Sequence, residues 1–200
     1  MSGNADATRP RVDRRVRRTR DQLGGALVAL IVEKPFDTIT VQDVLDRAGV
    51  GRSTFYAHYR DKDDLFLSDV DEFFEGMATM LSRREDPSDR VAPVRELFAH
   101  VAEARSFYDA LVTSDRIPEV LELGRGHFAR GIERRLCELP RGRSIGAQHR
   151  AAVAHALAGS FLSLLTWWID RNMPGSPEEM DDLFHRMVWA GVGPDAPDQT

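Results

Sequence analysis

The sequence has little cysteine, which excludes a disulfide within the chain and gives no support to a cysteine-based metal site. Its 200 residues include one cysteine, Cys137, which has no partner for a disulfide within the chain. No two of the six histidines lie three or four residues apart, and no Ser-His-Asp, Cys-His or glycine-rich phosphate-binding pattern stands out. We therefore expect no metal, no cofactor and no catalysis, and the cysteine content favours a reducing, cytoplasmic location.

The sequence also lacks the alternating pattern of β-strands. Apolar residues instead recur at intervals of three and four along most of the chain, which predicts an all-α protein. Residues 1–11 and 193–200 carry no such periodicity and are predicted to be a flexible basic tail and a second flexible tail. The predicted helices cover about residues 12–34, 41–48, 52–58, 61–81, 89–105, 107–113, 117–139, 146–172 and 177–190.

Two apolar runs resemble membrane segments, and neither favours one. Residues 23–32 follow a basic stretch, as in a signal peptide, but no small-residue cleavage site comes after them. Residues 151–169 are interrupted by His155 and by three hydroxyl side chains, which is more typical of a buried helix than of a membrane span. We expect no contact with a membrane.

The charge is unevenly distributed along the chain. The net charge is −5, yet residues 1–62 hold twelve Lys and Arg against eight Asp and Glu, whereas residues 63–200 hold fifteen against twenty-four. Seven arginines fall between positions 9 and 20. The basic end is suited to a polyanion such as DNA, and arginines in a basic arm would add a salt-sensitive attraction to it.

Two short predicted helices in the basic half are joined by a tight turn. Thr40 can cap the first helix, Gly49 ends it, and the second begins at Arg52. This is the helix-turn-helix pattern, whose second helix enters the major groove of DNA. The same pattern also occurs purely as a packing motif, and Thr40 is in the first place a helix cap. Phe55 and Tyr59 are expected to be buried.

One face of the second short helix is polar. On a helical wheel Arg52, Ser53 and Tyr56 lie within about 100° of one another. Arg52 has the donor geometry that suits guanine, while Thr54, Tyr56 and His58 suit phosphate oxygens or thymine methyl groups. Thr40 and Lys62 begin the helices on either side of this one and suit phosphate, because unpaired backbone N–H groups and the helix dipole already favour an anion there. The predicted DNA-binding residues are Thr40, Arg52, Ser53, Thr54, Tyr56, His58 and Lys62.

The stretch KPFDTITVQDVLDRAGVGRSTFYAHYRDKDDLF resembles the N-terminal pattern of the TetR family of transcriptional regulators, and the match covers about residues 18–67. The resemblance implies a three-helix helix-turn-helix DNA-binding domain over residues 12–60 and a larger helical ligand-binding and dimerisation domain over residues 61–192. It also implies a homodimer and DNA contacts at the seven positions above. Gly51 departs from the pattern, because many members carry a capping serine there.

The end of the chain, WWIDRNMPGSPEEMDDLFHRMVWAGV, is similar to a TetR subgroup that includes regulators and a co-activator related to dihydroxyacetone kinase control. The helix before it carries an apolar stripe, which favours a dimer seam, with packing inside one subunit as the alternative. The predicted dimer-interface residues are Ala147, Ala151, Ala154, Ala158, Phe161, Leu165, Trp168, Leu183, Phe184 and Met187.

A second set of side chains in this half is a candidate lining for a ligand cavity, and simple core packing is its alternative. The candidate ligand-binding residues are Phe98, His100, Phe107, Tyr108, His127, Phe128 and Trp167. The sequence as a whole predicts a dimeric repressor that binds a near-palindromic operator in double-stranded DNA and is released by an unknown small-molecule effector. The alternative is a ligand-independent co-regulator that acts through a protein partner.

Overall fold

The protein is described by a computed structural model over residues 9–83, 86–112, 114 and 116–191, with side chains described from residue 14. These residues form α-helices and no β-strand, so the all-α prediction is confirmed for them. The predicted tails at residues 1–8 and 193–200 lie outside the described residues, but residues 9–11, predicted as tail, are helical. The helices are α1 (Arg9–Glu33), α2 (Val41–Ala48), α3 (Arg52–Tyr56), α4 (Lys62–Ala78), α5 (Met80–Arg83), α6 (Val94–Glu103), α7 (Arg105–Val112), α8 (Ile117–Glu138), α9 (Pro140–Arg143), α10 (Ala147–Asp170) and α11 (Pro177–Gly191).

The chain divides into two compact units. The first unit consists of residues 1–70 together with residues 106–117, and the second consists of residues 71–105 together with residues 118–200. The predicted boundary between a DNA-binding domain ending at residue 60 and a second domain beginning at residue 61 stays a prediction.

The first unit is built around the apolar stripe of α1. Leu23, Leu27 and Leu30 recur at helical spacing, and each is at most 5% exposed. Val44 and Leu45 of α2 are also buried in this unit. Fully burying an aliphatic side chain of this size contributes about 1.5–3 kcal/mol, so this stripe is a large part of what holds the helices together.

The local signals at α2 act as the sequence predicts. The backbone N–H of Asp43 donates to Thr40 Oγ1 (3.2 Å), and the backbone N–H of Thr40 donates to Asp43 Oδ2 (2.7 Å), which completes a capping box. At the other end Gly49 has φ of 64°, a left-handed conformation that glycine adopts at little cost. The helix is therefore held to eight residues.

The second unit is built around aromatic side chains from several helices. The ring of Phe161 lies 4.7 Å from that of Phe128 and 5.6 Å from that of Phe184. The ring of Phe98 lies 4.8 Å from that of Trp168. All five side chains are at most 2% exposed, so they form the centre of this unit's core.

This burial corrects part of the predicted dimer seam. Six of the ten predicted residues are buried inside a single chain, so their packing within one subunit, which was the alternative, is what the structure shows. The six residues are Ala154, Ala158, Phe161, Leu165, Trp168 and Phe184. Ala147, Ala151 and Met187 are exposed and Leu183 is half-buried, and for these four the interface stays a prediction.

Helix α10 is long and apolar enough to cross a membrane by length and composition. Its buried side faces the aromatic core of the second unit, where Phe161 and Trp168 are 0% and 1% exposed. This packing agrees with the expectation that residues 151–169 form a buried helix and not a membrane span.

The predicted helix over residues 89–105 begins later than expected, at Val94. The guanidinium of Arg135, which is buried, donates to the carbonyl oxygens of Asp86 (2.6 Å), Ser88 (2.7 Å) and Arg90 (3.0 Å). These bonds satisfy backbone acceptors that a helix would otherwise satisfy, so the segment before Val94 is stable without one. The start of α11 is as predicted, since Glu179 N–H donates to Ser176 Oγ (3.2 Å).

Candidate nucleic-acid interface

Helix α3 begins without a side-chain cap. Gly51 is its N-cap residue, and only the carbonyl oxygen of Gly51 takes part, accepting the backbone N–H groups of Thr54 (3.0 Å) and Phe55 (3.1 Å). The other first-turn N–H groups of α3 therefore have no side-chain acceptor from position 51. This is the structural consequence of glycine at the position where the family pattern often has serine.

The side chains of α3 divide into an exposed set and a buried anchor. Arg52, Ser53 and Thr54 are exposed, and Tyr56 is 53% exposed although it is a large aromatic residue. Phe55, between them in the sequence, is 0% exposed. One face of α3 is therefore open to a partner while the opposite face fixes the helix in its unit.

A second residue orients the arginine of this face. Arg52 Nη2 donates to Gln42 Oε1 (3.0 Å), and Gln42 Nε2 donates to Asp46 Oδ1 (2.7 Å). Gln42 lies in the first turn of α2, so the bond places the start of α2 beside the start of α3. The sequence analysis missed Gln42, although its position one turn before Asp46 on the polar side of α2 was a usable signal.

The end of α3 is held by Tyr59, which is 5% exposed, as predicted. Its ring lies 5.8 Å from that of Phe55. Arg20 of α1 donates from Nε to Tyr59 Oη (3.0 Å) and from Nη2 to Ser68 Oγ of α4 (3.1 Å). One guanidinium thus joins α1, the end of α3 and α4, and it fixes the angle at which α3 stands.

Thr40 is exposed, and its hydroxyl is used by the cap. Thr40 Oγ1 donates to Asp43 Oδ2 (2.7 Å), and Lys34 Nζ lies 2.9 Å from the same oxygen. The hydrogen bond from Lys34, followed by those from Thr40, holds the pKa of Asp43 well below its usual range. Thr40 is therefore first a structural cap, and a phosphate contact from it stays a prediction.

Lys62 is less accessible than the sequence suggests. Its Nζ donates to the carbonyl oxygen of Phe36 (2.7 Å) and lies 4.6 Å from the centroid of that ring. Burial lowers the pKa of Lys62. His58 is half-buried, with its ring 6.2 Å from that of Tyr59. The structure thus gathers Arg52, Ser53, Thr54 and Tyr56 on one helix. The other three predicted residues lie outside it: the side chains of Thr40 and Lys62 donate hydrogen bonds within the chain, and His58 is half-buried.

The candidate ligand residues do not form one group. Phe98 and Phe128 are fully buried in the aromatic core, so core packing, their alternative, is what the structure shows. His127 Nε2 lies 2.7 Å from Asp71 Oδ1, and the ring of His100 lies 4.7 Å from that of Phe73. These contacts give the histidines structural partners, and a ligand role for either stays a prediction.

Phe107 and Tyr108 belong to the first unit, unlike the other candidates, and burial raises the pKa of Tyr108 to about 12. Trp167 is 45% exposed and, with Leu121 and Leu162, lines a groove of about 450 Å³ in the second unit. This volume is within the range of small-molecule sites. Among the described residues, no three His, Cys, Asp or Glu side chains converge as metal ligands.

Comparison with known families gives two matches. Residues 25–68 match the family described as bacterial regulatory proteins, tetR family. Residues 93–189 match the family described as transcriptional regulator C-terminal region. The first match contains α2 and α3, and the second contains α6 to α10 and most of α11.

Among curated sequences, the chain is 39% identical over 177 residues to the uncharacterized HTH-type transcriptional regulator YxbF of Bacillus subtilis strain 168, covering 84% of this chain and 44% of YxbF. The chain spans about half the length of the curated relatives it matches.

Among solved structures, a TetR transcriptional regulator from Streptococcus agalactiae is 26% identical with a TM-score of 0.60, covering 88% of this chain and 96% of that one. The dihydroxyacetone kinase operon activator DhaS is 16% identical with a TM-score of 0.62, covering 87% of this chain and 96% of DhaS. The likeness to DhaS is one of fold.

Proposed function

The chain belongs to the TetR family of DNA-binding transcriptional regulators and is not an enzyme, and we propose that it is a cytoplasmic, dimeric repressor whose helix α3 reads a near-palindromic operator. The observation that supports this proposal is the division of α3 into an exposed polar face and the fully buried Phe55. A helix used only for packing has no need of four exposed side chains within five residues, of which one is a tyrosine.

In this proposal Arg52 reads a base. Its guanidinium has the paired donors that suit guanine O6 and N7, and Gln42 holds one of its nitrogens in place. Ser53, Thr54 and Tyr56 contact phosphate or thymine methyl groups. Among the remaining predicted contacts, Thr40 and Lys62 require rearrangement of the hydrogen bonds that their side chains make, and His58 is half-buried beside Tyr59.

The proposal is tested by replacing the exposed face of α3. Arg52→Ala is expected to weaken operator binding by about 1–3 kcal/mol and to relax the preference at one base pair, and Tyr56→Ala is expected to weaken binding further. Binding is measured by fluorescence anisotropy with the DNA upstream of the gene. The matched control is Arg134→Ala, an exposed arginine of α8 in the second unit. Unchanged operator affinity in the Arg52→Ala, Tyr56→Ala double variant contradicts the proposal.

The dimer is proposed to form on the exposed side of α10 and α11 and not on the buried seam. Ala152, Ala156 and Ser160 are exposed at intervals of four on α10, and small side chains allow close approach of helices. Met187 of α11 is 57% exposed. In a dimer that reads a near-palindromic operator, the two copies of α3 are expected about one turn of DNA, roughly 34 Å, apart.

This arrangement predicts that a charge on the small-residue face separates the subunits. Ala156→Glu is expected to give a monomer in sedimentation experiments, because the carboxylate would be buried without a partner. Since two half-sites are then read separately, operator affinity also falls. Ala102→Glu, at an exposed alanine of α6, is the control. A dimer that persists in Ala156→Glu at the wild-type strength contradicts this interface.

The effector is the second part of the proposal. We assign it to a small apolar or amphipathic molecule that favours an arrangement of helices unable to bind DNA. The groove beside Trp167 offers a site for it. The packed aromatic core around Phe161 favours the alternative, a co-regulator that acts through a protein partner without a ligand. Release of operator DNA by a compound that also quenches the fluorescence of Trp167 would support the effector, and Trp167→Phe supplies the control.

A further inference from the structure

Three exposed polar side chains connect the surface of α2 to the first residue of α3. Gln42 Nε2 donates to Asp46 Oδ1 (2.7 Å), and Arg52 Nη2 donates to Gln42 Oε1 (3.0 Å). Gln42 and Asp46 lie one turn apart on α2, and Arg52 is the first residue of α3. We call these three side chains the α2–α3 relay. It ends on the arginine that is proposed to read a base.

The two ends of the relay fix the orientation of the amide between them. A carboxylate accepts hydrogen bonds and has no proton to donate, whereas a guanidinium donates and does not accept. The amide of Gln42 must therefore turn its nitrogen toward Asp46 and its oxygen toward Arg52, since the opposite orientation breaks both bonds. Asp46 thus acts on Arg52 through Gln42, because it decides which amide atom the guanidinium meets.

The bond to Gln42 leaves Arg52 able to bind a base. A guanidinium carries five N–H donors, and Nη2 takes part in two of its two-donor edges, one shared with Nε and one shared with Nη1. A single bond from Nη2 uses one hydrogen and leaves the other edge complete. Two parallel donors are what guanine O6 and N7 require.

We propose that Gln42 and Asp46 are positioning residues that determine specificity: they hold the remaining two-donor edge of Arg52 toward one base pair of the operator. This inference rests on the proposed function of Arg52, and it extends the reading of that base pair to Asp46, which needs no contact with DNA. An arginine without such a partner turns readily to neighbouring phosphates, and phosphate contacts carry no sequence information. The relay therefore favours base reading over phosphate binding.

The competing role for Gln42 is to read a base itself. A glutamine recognises adenine with both its amide oxygen and its amide nitrogen. In the structure the oxygen accepts from Arg52 and the nitrogen donates to Asp46, so a reading Gln42 has to give up both bonds. The contacts favour positioning. A purely structural role, as a Gln–Asp pair that supports α2, affects thermal stability and leaves the base preference unchanged.

The test measures base preference, which is the affinity for the DNA upstream of the gene divided by that for a duplex with one base pair replaced. Fluorescence anisotropy over a panel of such duplexes with Arg52→Ala first identifies the base pair whose preference depends on Arg52. The panel is then repeated with Gln42→Ala, with Asp46→Asn and with the double variant Gln42→Glu, Asp46→Asn. Gln22→Ala, at an exposed glutamine of α1, is the matched control. Circular dichroism checks the fold of each variant.

We expect Gln42→Ala to lower the preference at that base pair about fivefold, the factor that corresponds to one ordinary hydrogen bond. Affinity for a scrambled duplex should not fall. Asp46→Asn allows both amide orientations, so the preference should fall about twofold when they are equally populated. The double variant should restore the wild-type preference, because a carboxylate at position 42 accepts from Arg52 in either orientation. It also keeps the net charge of the wild-type protein.

The inference is wrong if Arg52→Ala relaxes one base pair and Gln42→Ala leaves that preference unchanged. It is also wrong if Gln42→Ala relaxes a different base pair, since Gln42 is then a reader, or if the double variant is no better than Asp46→Asn. The proposed function fails separately. If Arg52→Ala changes the preference at no base pair, Arg52 reads none, and the inference falls with it. Should Gln42→Ala not fold, Asp46→Asn and the double variant still decide.

Discussion

Helix α3 and helix α10 were both expected to present one face to another molecule, and the structure treats the two faces differently. The polar face of α3 is exposed, with Tyr56 at 53%. The apolar seam of α10 from Ala154 to Trp168 is buried in its own chain, with Phe161 at 0%. A pattern on a helix shows which residues share a face, but it does not always show what covers that face.

The difference follows from the chemistry of the side chains. Arg52 and Ser53 must remain in water or find polar partners, so a short helix with one apolar anchor has one stable orientation. Between Ala152 and Ser160 the opposite face of α10 is also uncharged and small. Either face could then be buried, and the bulk of Phe161 and Trp168 decided it, because large aromatic side chains gain most from burial.

The largest expected change in the free energy of unfolding comes from a substitution at the centre of the buried α10 seam. Phe161→Ala is expected to lower the free energy of unfolding by about 4–5 kcal/mol, because it leaves a cavity among Phe98, Phe128 and Phe184. Urea denaturation followed by circular dichroism measures the loss. Ser160→Ala, at the exposed neighbour, is expected to change it by less than about 0.5 kcal/mol.

Phe161→Ala also shows whether the seam is core or interface. A substitution in the core lowers the free energy of unfolding by a similar amount at every protein concentration, whereas a loss confined to an interface fades when the subunits are already separate. If the effect of Phe161→Ala disappears in the Ala156→Glu background, the seam belongs to the dimer and the assignment to the core is wrong.

Neighbouring residues of α3 give the next largest effect. Phe55→Ala is expected to lower the free energy of unfolding by about 3 kcal/mol, because Phe55 is fully buried beside Tyr59. Tyr56→Ala should cost less than about 1 kcal/mol, since the side chain is half in solvent and its ring forms a T-shaped pair with that of Phe55. The same denaturation measurement applies. Equal losses at the two positions would mean that α3 is packed on both faces.

The sequence predicted features that depend on neighbours in the chain. The capping residues Thr40 and Ser176, the stop at Gly49 and the burial of Phe55 all follow from spacing within one or two turns. Features that depend on distant partners were missed. The late start of α6 depends on Arg135, which lies 45 residues from Arg90, and the orientation of α3 depends on Arg20, which lies 39 residues from Tyr59. Side-chain bonds of this range leave no periodic signal.

The smallest expected effect concerns two neighbouring glycines of α1, Gly24 and Gly25. They look equivalent in sequence, because each weakens a helix by about 1 kcal/mol relative to alanine. A Cβ added at Gly24 would overlap the carboxylate of Asp69, whereas one added at Gly25 meets nothing within 4 Å. Gly25→Ala is therefore expected to raise the free energy of unfolding by about 1 kcal/mol. Gly24→Ala should gain nothing or lose stability, because Asp69 must move from its present contacts. Thermal unfolding of the two variants measures the difference, and equal stabilisation by both would show that α1 and the region of Asp69 are not as closely packed as the structure has them.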